Sequence, residues 1–111
     1  MDEPTERSRV EAAQRDPARF DVLYDDNFHR VYAYVARRVE NRSAAEDVTA
    51  QVFQEALANL ARFEWRGLPF AAWLFKIAAN AVRDHWHRRG RESGMPAPVD
   101  TINDGDQVER H

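Results

Sequence analysis

Apolar residues recur at steps of three and four along most of this chain, and no stretch alternates apolar and polar residues in a sustained period of two. A repeat near 3.6 residues suits one buried helix face, whereas a half-buried strand needs a repeat of two. Sheets are therefore excluded as the main architecture. Phe20, Leu23, Tyr24, Phe28, Val31, Tyr32, Val35 and Val39 predict one long amphipathic helix over residues 17–40, which Glu40-Asn41-Arg42 ends. Asp16-Pro17 ahead of it reads as an N-cap with proline at the first helical position. Ser43-Ala44-Ala45-Glu46 has the spacing of a capping box, and Ala45, Val48, Val52, Ala56, Leu60 and Phe63 continue as a second stripe. Glu64–Pro69 reads as a loop from its Gly and Pro. A last helix is expected from Phe70 to Arg89, with Phe70, Leu74, Ile77, Ala81 and His85 on one face and Gly90 as its C-cap. Thr5 to Arg15 has the makings of a short first helix.

Three or four helices joined by short turns make a compact all-α bundle. A length of 111 residues supports one such domain, over 16–91, preceded by a segment 1–15. The stretch 92–111 is rich in Pro, Asp and Gly, lacks an apolar period, and is expected to be a disordered tail or linker. The chain has no cysteine, which excludes a disulfide framework and any thiolate chemistry. No apolar run reaches the roughly 18 residues of a membrane span, and no apolar leader follows the N-terminus, so the expected location is cytoplasmic, away from any membrane.

The formal charge of −3 hides an uneven distribution. Residues 1–26 carry eight acids and four arginines, residues 27–91 carry six acids and eleven bases, and residues 92–111 carry five acids and one arginine. The balances are −4, +5 and −4, so a basic middle lies between acidic ends. Fifteen of the sixteen bases are Arg, the residue suited to bidentate phosphate contacts and to stacking on rings. A codon bias toward Arg would give the same count.

On a helical wheel, Lys76, Asn80, Arg83 and His87 fall on one narrow strip of the last helix, between the Phe70 face and a second apolar strip of Phe75, Ala79, Val82 and Trp86. Cationic side chains in such a row follow a nucleic-acid backbone, and an Asn amide pairs with a base edge. The same strip would also serve as an ordinary solvated face. Arg62, Trp65 and Arg66 in the preceding loop, with Phe70, add the alternation of cations and rings that single-stranded nucleic acid binds. Trp65 is expected to be an exposed ring and Trp73 a packing residue. On the second helix, Asp47, Gln51 and Gln54 line up opposite the apolar stripe and Glu55 adds a carboxylate, a surface that another helix can approach. No catalytic set is recognisable, since the three serines lie at 8, 43 and 93 with no elbow motif and no Gly-rich phosphate loop is present. His85 and His87 face different sides of one helix, and Asp25 and His29 lack further ligands, so neither a metal nor another cofactor is expected.

Ala45-Glu46-Asp47-Val48, Val52-Phe53-x-x-Ala56-Leu57, Phe70-x-x-Trp73-Leu74-Phe75-Lys76-Ile77-Ala78-x-Asn80 and Asp84-x-x-x-Arg88-Arg89 together resemble region 2 of bacterial extracytoplasmic-function (ECF) sigma factors, over about residues 16–91. The resemblance implies a non-enzymatic transcription initiation domain. It implies docking of the second helix, through the face of Asp47, Gln51, Gln54 and Glu55, on the β′ clamp helices of core RNA polymerase. It also implies capture of the melting non-template strand of the promoter −10 element by Arg62, Trp65, Arg66, Phe70, Lys76, Asn80 and Arg83, which His87 would extend. The chain departs from the family pattern at Ala50 and Gln51, and its Glu64–Pro69 loop is about a residue longer than in some members. Complete members continue into a second domain that reads the −35 element; this chain is expected to lack it, either as an excised region 2, the favoured reading, or as a short natural protein. Two rival readings stay open: a helical protein-interaction module without a DNA role, for example an anti-sigma target, and a general single-strand binder.

Overall fold

The computed structural model describes residues 5–66 and 69–93. Four helices account for most of them: α1 (Glu6–Arg15), α2 (Phe20–Ala36), α3 (Arg42–Asn59) and α4 (Phe70–Ser93). Single 3₁₀ turns at Pro17–Arg19 and Leu60–Arg62 lead into α2 and out of α3. The first two residues of the expected 92–111 tail belong to α4 instead, while Gly67, Leu68 and the rest of that stretch, from Gly94 onward, lie outside the described residues.

The chain boundaries follow from side chains that satisfy helix-end amides. Thr5 caps α1, accepting from the Ser8 N–H at 3.0 Å. Asp16 accepts from the Ala18 N–H at 3.2 Å and so opens the turn that Pro17 continues, as the sequence implies. The 17–40 helix is shorter than expected, ending at Ala36. The turn after it sends the Arg38 carbonyl toward Trp86, whose indole N–H donates to it at 2.7 Å, and places Glu40 against α4. The N-cap of α3 is Asn41, whose side chain accepts from the Ala44 N–H at 2.8 Å. The expected Ser43–Glu46 box is not formed, since the helix has already started and Glu46 pairs with Arg42 at 3.1 Å. Starting there places Ala44 and Ala45 in the interior. Gly90 is not a C-cap, and α4 runs through it to Ser93. Contacts of His85, Trp86 and Arg89 with the 38–40 corner hold the last turns helical, against the roughly 1 kcal/mol that an interior glycine costs.

One core joins all four helices. Leu23, Val31 and Val35 of α2 meet Val48, Val52 and Ala56 of α3 and Leu74, Ala78 and Val82 of α4, each at most 2% exposed. Val10 and Ala13 of α1 sit in the same core, so the N-terminal segment packs with the helices that follow. Asn27 is buried among them and donates to the Leu23 carbonyl at 2.8 Å while accepting from Arg30. Tyr24, on the expected apolar face, is 39% exposed and covers Phe53 with a ring separation of 4.7 Å.

The capping geometry gives a direct test. Asn41→Ala is expected to lower unfolding stability by about 1 kcal/mol, while Ser43→Ala stays within about 0.5 kcal/mol of wild type. Urea unfolding followed by far-UV circular dichroism measures both, and the reverse order of effects would restore Ser43 as the cap.

Candidate nucleic-acid interface

α4 is buried along Leu74, Ile77 and Ala81 and again along Ala78 and Val82, and a narrow strip between these flanks reaches solvent, as do the exposed Asp84, Arg88 and Arg89 near the C-terminal end of the helix. Lys76 and His87 on that strip are exposed, and Asn80 and Arg83 are half-buried. At 1.5 Å per residue the strip from Lys76 to His87 is about 16 Å long. The Arg83 guanidinium donates to the Asn80 side-chain oxygen one turn away, so these two residues act as a unit. Arg91 is exposed one turn beyond His87.

At the N-terminal end of the strip, a cavity of about 470 Å³ opens between the loop and α4, lined by Arg62, Phe63, Glu64, Arg66, Ala72, Trp73 and Lys76. Three of the expected DNA-contacting cations therefore converge there. Arg66 is held by Glu64, with Nε 2.6 Å from the carboxylate. One of the two tryptophan expectations changes. Trp65 is half-buried on the core rather than exposed, edge-on to Phe63 at 5.1 Å, with its indole N–H buried and unpartnered among the described residues. Trp73 packs on the core as expected, and it also lines this cavity and a neighbouring one of about 320 Å³. Phe70 is 1% exposed and lies against Phe63 and Trp73. Its ring supports the wall of the cavity and offers no free face in this conformation.

The four residues expected to meet a helical partner do not share one recess. Asp47 and Gln51 line a basin of about 300 Å³ with Glu40, His85, Arg88 and Arg89. Gln54 is exposed outside it, and Glu55 borders the smaller cavity with Asn59, Arg62, Trp73 and Ile77. The basin is floored by contacts that local sequence pattern does not reveal. Glu40 accepts from His85 Nε2 at 2.8 Å and from Arg89 Nε at 3.1 Å. Partial burial opposes ionisation of Glu40, but the His85 hydrogen bond, a backbone amide and the charges of His85 and Arg89 outweigh it, holding the carboxyl below its usual 4.5.

Among the described residues no helix is long and apolar enough to cross a membrane. The sequence profile of the Sigma-70 region 2 family matches residues 23–92. The ECF RNA polymerase sigma factor BldN of Streptomyces coelicolor is 36% identical over 102 residues, covering 92% of this chain and 37% of BldN. The RNA polymerase sigma-H factor of Pseudomonas aeruginosa is 34% identical over 83 residues, 74% of this chain and 42% of that protein. The RNA polymerase sigma factor CarQ of Myxococcus xanthus is 39% identical over 65 residues, 59% of this chain and 37% of CarQ. The chain thus spans about two fifths of the length of these relatives.

The lowered Glu40 value has a consequence for acid stability. A carboxylate whose folded value lies below its unfolded one contributes fully above the unfolded value, near 4.5, and loses that contribution as pH falls through the folded value. Glu40→Gln is therefore expected to reduce stability near neutral pH and to flatten the further loss of stability below pH about 4.5. Urea midpoints measured across that range check this, and an unchanged acid slope would remove Glu40 from the account.

Proposed function

The chain belongs to the Sigma-70 region 2 family, with ECF sigma factors among its relatives, and on that premise we propose that it is a transcription initiation domain that docks on core RNA polymerase and takes up the melted promoter −10 strand. The observation that carries the DNA half of this reading is the continuity of the cation-lined cavity with the Lys76–His87 strip. A flipped base enters the cavity beside Trp73 while Arg62, Arg66 and Lys76 meet the flanking phosphates. The strip then follows the non-template strand, with Asn80 against a base edge. Opening DNA gives up stacking of about 1.4 kcal/mol per step, and ring stacking of extruded bases, worth about 1–3 kcal/mol each, offsets it. No covalent step is needed, which agrees with a site made of cations, amides and rings.

The polymerase half rests on the exposed side of α3, where Asp47 is free of the core and Gln51, Gln54 and Glu55 follow it on successive turns. The β′ clamp helices are the partner that family membership suggests for this side. An anti-sigma factor would compete for the same helices.

The first test is binding of a single-stranded non-template −10 oligonucleotide against a scrambled strand of equal length. The cognate strand should bind more tightly, and both affinities should fall as salt rises. Equal affinities would favour the general single-strand binder. No binding at low salt, with capture of a helical protein partner, would favour the interaction module. Lys76→Ala is expected to weaken both strands alike and to lower the single-strand salt slope by about 0.7. Asn80→Ala should instead reduce the preference for the cognate strand. Asp47→Arg should weaken capture of core polymerase and leave oligonucleotide binding intact, and loss of both would signal misfolding.

A further inference from the structure

We infer that α1, through Gln14, is the positioning element of the loop that reads the promoter strand, and so sets base discrimination without touching DNA. The inference rests on the function proposed above for the loop. Gln14 lies upstream of the 23–92 segment that matches the family, so family membership assigns it nothing.

The Gln14 side-chain nitrogen donates to the Leu60 carbonyl and to the Phe63 carbonyl, each at 3.0 Å. These two carbonyls flank Arg62, at the point where α3 gives way to the loop and backbone oxygens have no partner within the helix. Leu60 O also accepts from the Phe63 N–H, at 3.0 Å, so Gln14 clamps a turn that is already closed. A carboxamide carries two N–H donors on one nitrogen, which an isosteric carboxylate lacks. The clamp is fixed at its own base, because Val10 and Ala13 are buried in the core and Arg9 pairs with Asp26 of α2 at 2.9 Å. A second hold lies one helix length away, where the Arg7 guanidinium sits 5.5 Å from the Trp65 ring and is itself paired to Glu11 at 3.1 Å. What α1 grips at both ends is the segment that supplies Arg62, Phe63, Glu64 and Arg66 to the cavity wall.

The experiment compares Gln14→Ala and Gln14→Glu with wild type and with Val35→Ala, a core truncation in α2 that lowers stability without touching the loop. Each folded protein is digested with trypsin under native conditions, and its affinities for cognate and scrambled single strands are measured. Both Gln14 variants lose both bonds and should be cut at least about five-fold faster after Arg62 and Arg66, the scale of a single lost hydrogen bond. Their cognate-to-scrambled ratio should fall by a similar factor, with polymerase capture and salt slope unchanged. Val35→Ala should keep the wild-type ratio. Unchanged loop cleavage in the Gln14 variants, cleavage accelerated equally at all sites, or a retained ratio beside faster loop cleavage would each overturn the inference. A wild-type protein that does not discriminate the strands would instead refute the function proposed for the loop, and cleavage alone would then decide whether Gln14 holds it.

Discussion

Helix α4 must bury two flanks at once, and the rest of the molecule is arranged around that requirement. Phe70, Leu74, Ile77 and Ala81 share one core with Ala45, Val48 and Ala56 of α3. Ala78 and Val82, on the adjoining flank, are fully buried. A 24-residue helix held in this way leaves a strip between its buried flanks, and Lys76, Asn80, Arg83 and His87 occupy it. The strip is thus a by-product of packing geometry, anchored by the close-packed core beneath it. Burial on this scale dominates stability, since the exposed pairs Arg7–Glu11, Arg42–Glu46 and Arg66–Glu64 contribute roughly 0–1 kcal/mol each.

The corner between α2 and α3 serves a different purpose. It carries no large apolar residue of its own beyond Val39, yet it fixes the second half of α4 through polar contacts: Trp86 to the Arg38 carbonyl, and His85 and Arg89 to Glu40. One carboxylate thereby joins two successive turns of α4. The same corner ends on Asn41, which caps α3. The start of the helix proposed to face polymerase and the end of the helix proposed to face DNA are in this way set by three residues within one four-residue stretch, Arg38, Glu40 and Asn41.

The four helices, the main apolar stripes and the basic strip are legible in the sequence because each depends on spacing within one helix. Family membership also follows from short segments read in order. What escaped local reading depends on residues far apart in the chain. Glu40 and His85 are 45 positions apart, and Gln14 and Leu60 are 46 apart. Nothing in the sequence near Gln14 distinguishes it from a solvated helix residue. The burial of Trp65 has the same origin: a tryptophan two residues from a glycine looks exposed until the Arg7 guanidinium of α1 lies over it and its edge meets Phe63. The caps were misplaced for a more local reason. Asn41 and Ser43 are both good caps, and the choice between them is made by which start lets Ala44 and Ala45 reach the core.

The Arg83–Asn80 pair carries a consequence for the thermodynamics of recognition. With its oxygen accepting from the guanidinium, the Asn80 amide offers its N–H₂ donors to a ligand, on the same helix strip as an ammonium group at Lys76 and an imidazole at His87. The outward chemistry of the strip is therefore donor-rich, and it is matched by acceptors: phosphate oxygens and the carbonyl and ring-nitrogen edges of bases. Two rotamer-rich side chains are ordered before any ligand arrives, so an entropic penalty of about 0.5–1.5 kcal/mol per side chain falls on folding and not on association.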